Sequence, residues 1–129
     1  MGFLVVFLGG GLGAALRHGV NLASARLLGT GFNYATLFEN VTGSVIMGLL
    51  VGYFAFQGGV PQHVRLFLTT GILGGYTTFS SFSLETFRLL HAGQTALALI
   101  NIVVSVVGWL LAVWLGHSLA SRLNRLKGS

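Results

Sequence analysis

Apolar residues run along this chain in four long blocks, at residues 3–25, 34–56, 64–90 and 94–120, and most polar residues gather between them. Each block reaches the ~20 residues an α-helix needs to cross about 30 Å of hydrocarbon. The pattern predicts an all-α integral membrane protein with four transmembrane helices, forming a single domain over residues 1–129. The predicted connections are short: GTGFN at 29–33, QGGVPQH at 57–63 with the only proline, Pro61, and RLLHAGQ at 88–94. Four spans place both termini on one side of the membrane.

Composition strengthens the membrane reading. Hydrophobic residues make up 53% of the chain and charged residues 7%, against about 25% charged in soluble domains. The formal charge of +5 comes from basic residues near the ends of apolar runs, where they reach lipid headgroups. It is no signal for a nucleic-acid partner. The chain has no cysteine, which excludes disulfides, thiolate metal sites and cysteine nucleophiles. His18, His63, His91 and His117 stand far apart with no i, i+4 ligand pair. No nucleophile–base–acid set stands out, so an enzyme is not expected. The first run has no basic stretch before it, so no cleavable signal peptide is expected either.

The side holding the termini and second connection carries Arg65, Arg122, Arg125 and Lys127. The other carries Arg26 and Arg88, with Arg17 a candidate third. Such a weak bias does not fix orientation, and an antiparallel pair of subunits becomes plausible. A C-terminal tag would then be found on both sides. Gly9 with Gly13, Gly48 with Gly52, and Gly71 with Gly75 recur at the GxxxG spacing of close helix packing. Four short spans are little material to enclose a pathway, so a homodimer or larger assembly is expected.

The third block is the unusual one. GILGGYTTFSSFSLE, from Gly71 to Glu85, carries three glycines, two threonines, three serines and two phenylalanines. Gly74 and Gly75 followed by β-branched Thr77 and Thr78 make a poor helix interior, and a break is predicted there. Freed carbonyls suit a cation and freed N–H groups an anion; a glycine kink that only aids packing fits the spacing equally. Beyond the break, Phe79, Phe82, Ser83 and Thr86 fall within one arc of about 100°. Phenyl edges are weakly positive, so this stripe offers an anion attraction without a full charge. The alternative is ordinary packing, with Ser and Thr bonded back to their own helix.

Asn40 adds an amide with two donors in the second block, though interhelical hydrogen bonding is the commoner use of such a residue. Glu39 and Glu85 are the only acids. A carboxylate at the bilayer centre costs roughly 2.5–3.5 kcal/mol on insertion scales. Glu39 is therefore expected near a vestibule, protonated, or paired with a base such as Arg17.

At these residues the chain resembles the small bacterial fluoride-channel family, often called Fluc. GGGLGAALRH (9–18), ATLFENVTGS (35–44) and GILGGYTTFSSFSLE (71–85) resemble its first-, second- and third-span motifs in order. The resemblance implies a dual-topology homodimer of two antiparallel four-helix subunits, with the third helix broken mid-membrane and two narrow pores. It implies a multi-pass protein of the bacterial cytoplasmic (inner) membrane that exports fluoride passively and lowers its toxicity. It places Asn40, Phe79, Phe82 and Ser83 on the fluoride path, with hydroxyls of Thr78, Ser80 and Ser81 close by. It also implies a structural sodium ion at the dimer centre, on the backbone carbonyls of Gly74 and Thr77 from both subunits. Glu85 matches a carboxylate of the signature and is assigned no chemistry. Two positions depart from the pattern: Glu39 precedes the asparagine where a small or apolar residue is expected, and Asn101 stands where some members have tyrosine beside the pore. Two other readings compete. One is a four-span proton-coupled multidrug exporter using Glu39 or Glu85; the other is a non-transporting assembly subunit.

Overall fold

The computed structural model describes residues 2–29 and 34–128, and every regular element among them is helical. Helix α1 is Gly2–Leu28 and α2 is Tyr34–Gln57. The third block opens with α3 (Gln62–Leu66), continues through a π-helical segment (Phe67–Leu73) and ends its first half with α4 (Gly74–Tyr76). Its second half is α5 (Ser80–His91), and α6 is Thr95–Gly128. Residues 30–33 of the first predicted connection lie outside the described residues. Among the described residues three helices, α1, α2 and α6, are long and apolar enough to cross a membrane. α6 continues eight residues past the predicted end of its block, through the basic residues Arg122, Arg125 and Lys127.

The helices pack as two parallel pairs, and glycine makes both possible. A Cβ on Gly9 would lie 2.7 Å from the Phe67 carbonyl oxygen and 2.9 Å from Gly71 Cα. One on Gly13 would meet the Ile72 carbonyl, and one on Gly75 the Gly10 carbonyl. Contacts thus advance together along α1 and the third block. In the same way Gly48 lies against Val113 and His117, and Gly52 against Ala120, so α2 runs parallel to α6. The GxxxG spacings serve association inside the subunit. Replacing Gly13 with Ala should force α1 off the third block, with a loss of about 1–3 kcal/mol typical of overpacking. Thermal unfolding in detergent checks this; an unchanged midpoint would show that the backbone gives way freely.

Parallel pairing has an electrostatic result. The C-terminal ends of α2 and α6 meet, and the short 58–61 connection brings the start of α3 to the same end. Arg65, Arg122, Arg125 and Lys127 therefore share one pole of the molecule. At the opposite pole α5 stops in a left-handed turn. Gly93 has φ +80°, and the Gln94 N–H donates to the Leu89 carbonyl at 2.9 Å. This reversal favours glycine at that position and leaves only three residues between α5 and α6.

The sequence predicts a helix break over Gly74–Thr78, and the interruption falls at the threonine end of that stretch: both glycines are helical, and the chain leaves the helix at residues 77–79, where Thr77 is extended at φ −84°, ψ 154°. The missing side chain at Gly75 is used for close approach to α1. The departure falls on the threonines, where α2 offers the backbone other partners.

Candidate functional site

Asn40 is the residue that organises residues 77–79. Its Nδ2 donates to the Thr78 carbonyl at 2.9 Å, and its Oδ1 accepts the Thr78 N–H at 2.8 Å. This two-point pairing replaces the helical bonds that Thr78 gives up, which a buried backbone requires. Asn40 is itself only 5% exposed. Around it the hydroxyls are ordered by the local backbone. Thr77 Oγ1 donates to the Leu73 carbonyl at 2.8 Å. Thr78 Oγ1 accepts the Ser81 N–H at 3.3 Å and lies 3.2 Å from Ser80 Oγ and 3.4 Å from Ser81 Oγ. Arg17 of α1 steadies the other side, its Nε donating to the Gly75 carbonyl at 3.0 Å. Thr42 Oγ1 and the Tyr76 hydroxyl, 2.9 Å apart, tie α2 to α4.

Beside this junction lies a cavity of about 270 Å³, lined among others by Asn40, Ser44, Thr77, Thr78, Phe79 and Trp109. Its lining contains no charged side chain. Phe79 and Phe82 sit with ring centroids 5.9 Å apart, and Phe82 meets Trp109 edge to face at 4.8 Å and 75°. The predicted stripe divides into two. Phe82 and Thr86 are buried against α6, whereas Phe79, 73% exposed, and Ser83 open outwards. Ser80 is also exposed.

A second polar chain runs behind the stripe. Ser105 Oγ donates to Asn101 Oδ1 at 3.3 Å, Asn101 Nδ2 to Thr86 Oγ1 at 3.1 Å, and Thr86 Oγ1 to the Phe82 carbonyl at 2.9 Å. Asn101 thus joins α6 to α5 from a buried position, with one of its two N–H donors engaged by Thr86.

The acids differ from each other. Glu85 lies 3.4 Å from Arg88 in an i, i+3 pair at the exposed edge of α5. Glu39 is completely buried, and neither carboxyl oxygen has a hydrogen-bond partner among the described residues. It neither lines a vestibule nor bonds to Arg17, whose Nε is on Gly75. Both expectations are corrected by helix geometry: Glu39 follows the face of α2 that carries Ala35 and Thr36 into the subunit. Replacing Glu39 with Val should leave transport intact or raise it. It should also stabilise the fold by about 1–3 kcal/mol, the scale of an unsatisfied buried polar group. Reconstituted efflux and a melting curve check both; complete loss of transport would show that the acid is required.

Trp109, Ser105, Thr42 and Tyr76 are site residues that the sequence reading does not name. Of these, Ser105 alone carries a sequence signal, its i, i+4 spacing from Asn101 in an apolar helix. No cluster of three or more His, Asp or Glu occurs among the described residues.

The family described as CrcB-like protein, Camphor Resistance (CrcB), matches residues 4–117. The chain belongs to this CrcB family. Among CrcB relatives, a protein of Rhodopseudomonas palustris (strain BisB5) named fluoride-specific ion channel FluC is 60% identical over 106 residues, covering 82% of this chain and 86% of that protein. One of the same name in Methylobacterium nodulans is 58% identical over 117 residues, covering 91% and 92%. The fluoride-specific ion channel FluC 2 of Nitrobacter hamburgensis is 50% identical over 124 residues, covering 96% and 100%. The CrcB match and the apolar helices together make this a multi-pass membrane protein.

Proposed function

We propose that this chain is a fluoride-selective channel subunit, releasing cytoplasmic fluoride passively across the bacterial inner membrane through narrow pores of a dual-topology homodimer. The observation that carries the reading is the uncharged cavity at residues 77–79, braced by Asn40, in a chain whose 50–60% identical relatives are named fluoride-specific ion channels. Fluoride is small and strongly hydrated, so a path must replace its water with donors yet hold it weakly enough to let it leave. Thr78, Ser80, Ser81 and Ser83 supply hydroxyls. Asn40 has a second N–H on the nitrogen that already holds Thr78. The edges of Phe79 and Phe82 add weak positive potential, and the absence of charge in the cavity lining avoids trapping the ion.

A second subunit is part of the proposal because Phe79 and Ser83 lie on an open flank. One chain walls the path on one side only. On this reading the interruption at residues 77–79 lies at mid-membrane, where freed backbone is tolerated only if buried or lining a cavity.

The Gly74 and Thr77 carbonyls fit the sodium proposed at the dimer centre. Thr78 N–H, the helical donor for Gly74, goes to Asn40, and Ser81 N–H, the donor for Thr77, goes to Thr78 Oγ1. Carbonyl oxygens are suitable ligands for a hard cation, and two subunits would double the set. When bound, such an ion supplies a fixed charge that ties the two breaks together. Exchange of sodium for N-methylglucamine during purification should lower the melting temperature; an unchanged value would remove the ion from the proposal.

The exporter reading loses its carboxylates: Glu85 is paired with Arg88 at an exposed edge, and Glu39 is sealed inside the subunit. The deciding experiment is ion-electrode efflux from liposomes carrying the assembled protein, comparing fluoride with chloride. Passive efflux of fluoride with chloride retained is expected. Vesicles that remain tight to fluoride would overturn the function.

A further inference from the structure

Away from the fluoride site, a cleft of about 480 Å³ opens between the C-terminal ends of α2 and α6. Its walls are apolar, including Leu49, Leu50 and Leu123, and its mouth carries Gln57, Asn124 and Lys127. Neither the pairing of Asn40 with Thr78 nor the cavity beside it uses any of these residues. The parallel register explains the arrangement. Gly52 against Ala120 brings the last turns of the two helices level, so Gln57, Asn124 and Lys127 fall within about one turn of each other, with Leu123 just beneath them and Leu49 and Leu50 about two turns deeper. Arg65, Arg122 and Arg125 belong to the same pole.

We propose that this cleft binds one anionic phospholipid, with acyl chain against Leu49, Leu50 and Leu123 and phosphate at Lys127, Gln57 and Asn124. The occupant follows from charge and polarity. The walls require hydrocarbon, the rim offers one ammonium and two amide donors, and neither acid of the chain lies at the mouth. A zwitterionic headgroup would bring its own cation to a pole already rich in Lys and Arg. Basic pockets between transmembrane helices bind anionic headgroups, and one basic residue near an anionic surface is worth roughly a fivefold preference. The inference depends on the chain being a membrane protein and is independent of the ion it conducts.

The test uses full-length protein in detergent, incubated with equal amounts of phosphatidylglycerol and phosphatidylcholine and examined by native mass spectrometry. Wild-type protein should retain one phosphatidylglycerol per subunit, about fivefold over phosphatidylcholine. Lys127→Gln, at an exposed position, should abolish the preference. Leu123→Trp, which fills the cleft, should abolish retention of both lipids. Equal retention of the two lipids by the wild type, or an undiminished preference in Lys127→Gln, would overturn the proposal. So would Leu123→Trp changing the subunit count of the particle while leaving lipid retention intact, since a second copy would then be the occupant.

Discussion

Asn40→Asp is expected to reduce fluoride efflux by roughly 100-fold while the protein still assembles. The substitution keeps an acceptor for the Thr78 N–H, so half of the pairing survives. It also sets a carboxyl oxygen against the Thr78 carbonyl, where the amide nitrogen now donates at 2.9 Å. Losing that bond in a buried place costs about 1–3 kcal/mol, and an ionised acid deep in the bilayer about 2.5–3.5 kcal/mol. At about 1.36 kcal/mol per tenfold, either effect alone is large, and the new negative charge opposes an anion directly. Efflux from liposomes measures the change, with gel filtration to show that assembly persists. Wild-type flux in this variant would remove Asn40 from the path and leave it a purely structural residue.

Phe82→Ile should lower flux by ~10-fold or more, since the edge of one ring is lost along with the face-to-edge packing that fixes its direction. Phe82 is 8% exposed and touches both Phe79 and Trp109. Isoleucine fills part of the volume, so the stability loss should stay within the few kcal/mol of a partly refilled core site. Leu89→Val is the control, because Leu89 is equally buried on α5 but has no ring to set against Phe79 and Trp109, the contacts that bring Phe82 to the cavity. Equal loss of flux in both variants would mean that packing of α5, and not the Phe82 ring, sets conduction.

Three of the spans were legible because lipid imposes a single rule, a long apolar run, that α1, α2 and α6 obey. The third block was legible as exceptional for the same reason: hydroxyls and glycines have no place in hydrocarbon unless something else uses them. What the pattern does not carry is which partner uses them. Gly74 and Gly75 suggest a break because glycine is a poor helix former, yet Gly75 is spent on approach to α1, and this depends on a helix some sixty residues earlier in the chain. Glu39 shows the same limit. Its depth can be counted along α2, but its facing follows from how α2 meets its neighbours. Trp109 reads as one more apolar residue of the fourth block, and only the edge-to-face contact with Phe82 gives it a place beside the site.

The pole that gathers Arg65, Arg122, Arg125 and Lys127 has a consequence for how voltage acts. A lone subunit of this kind is electrically lopsided, and a current through it would differ with the sign of the applied potential. An inverted pair presents the same basic end to each aqueous compartment, so the two asymmetries cancel. Currents recorded at equal and opposite potentials in symmetric solutions should then superimpose, whereas rectification would point to subunits that all face one way.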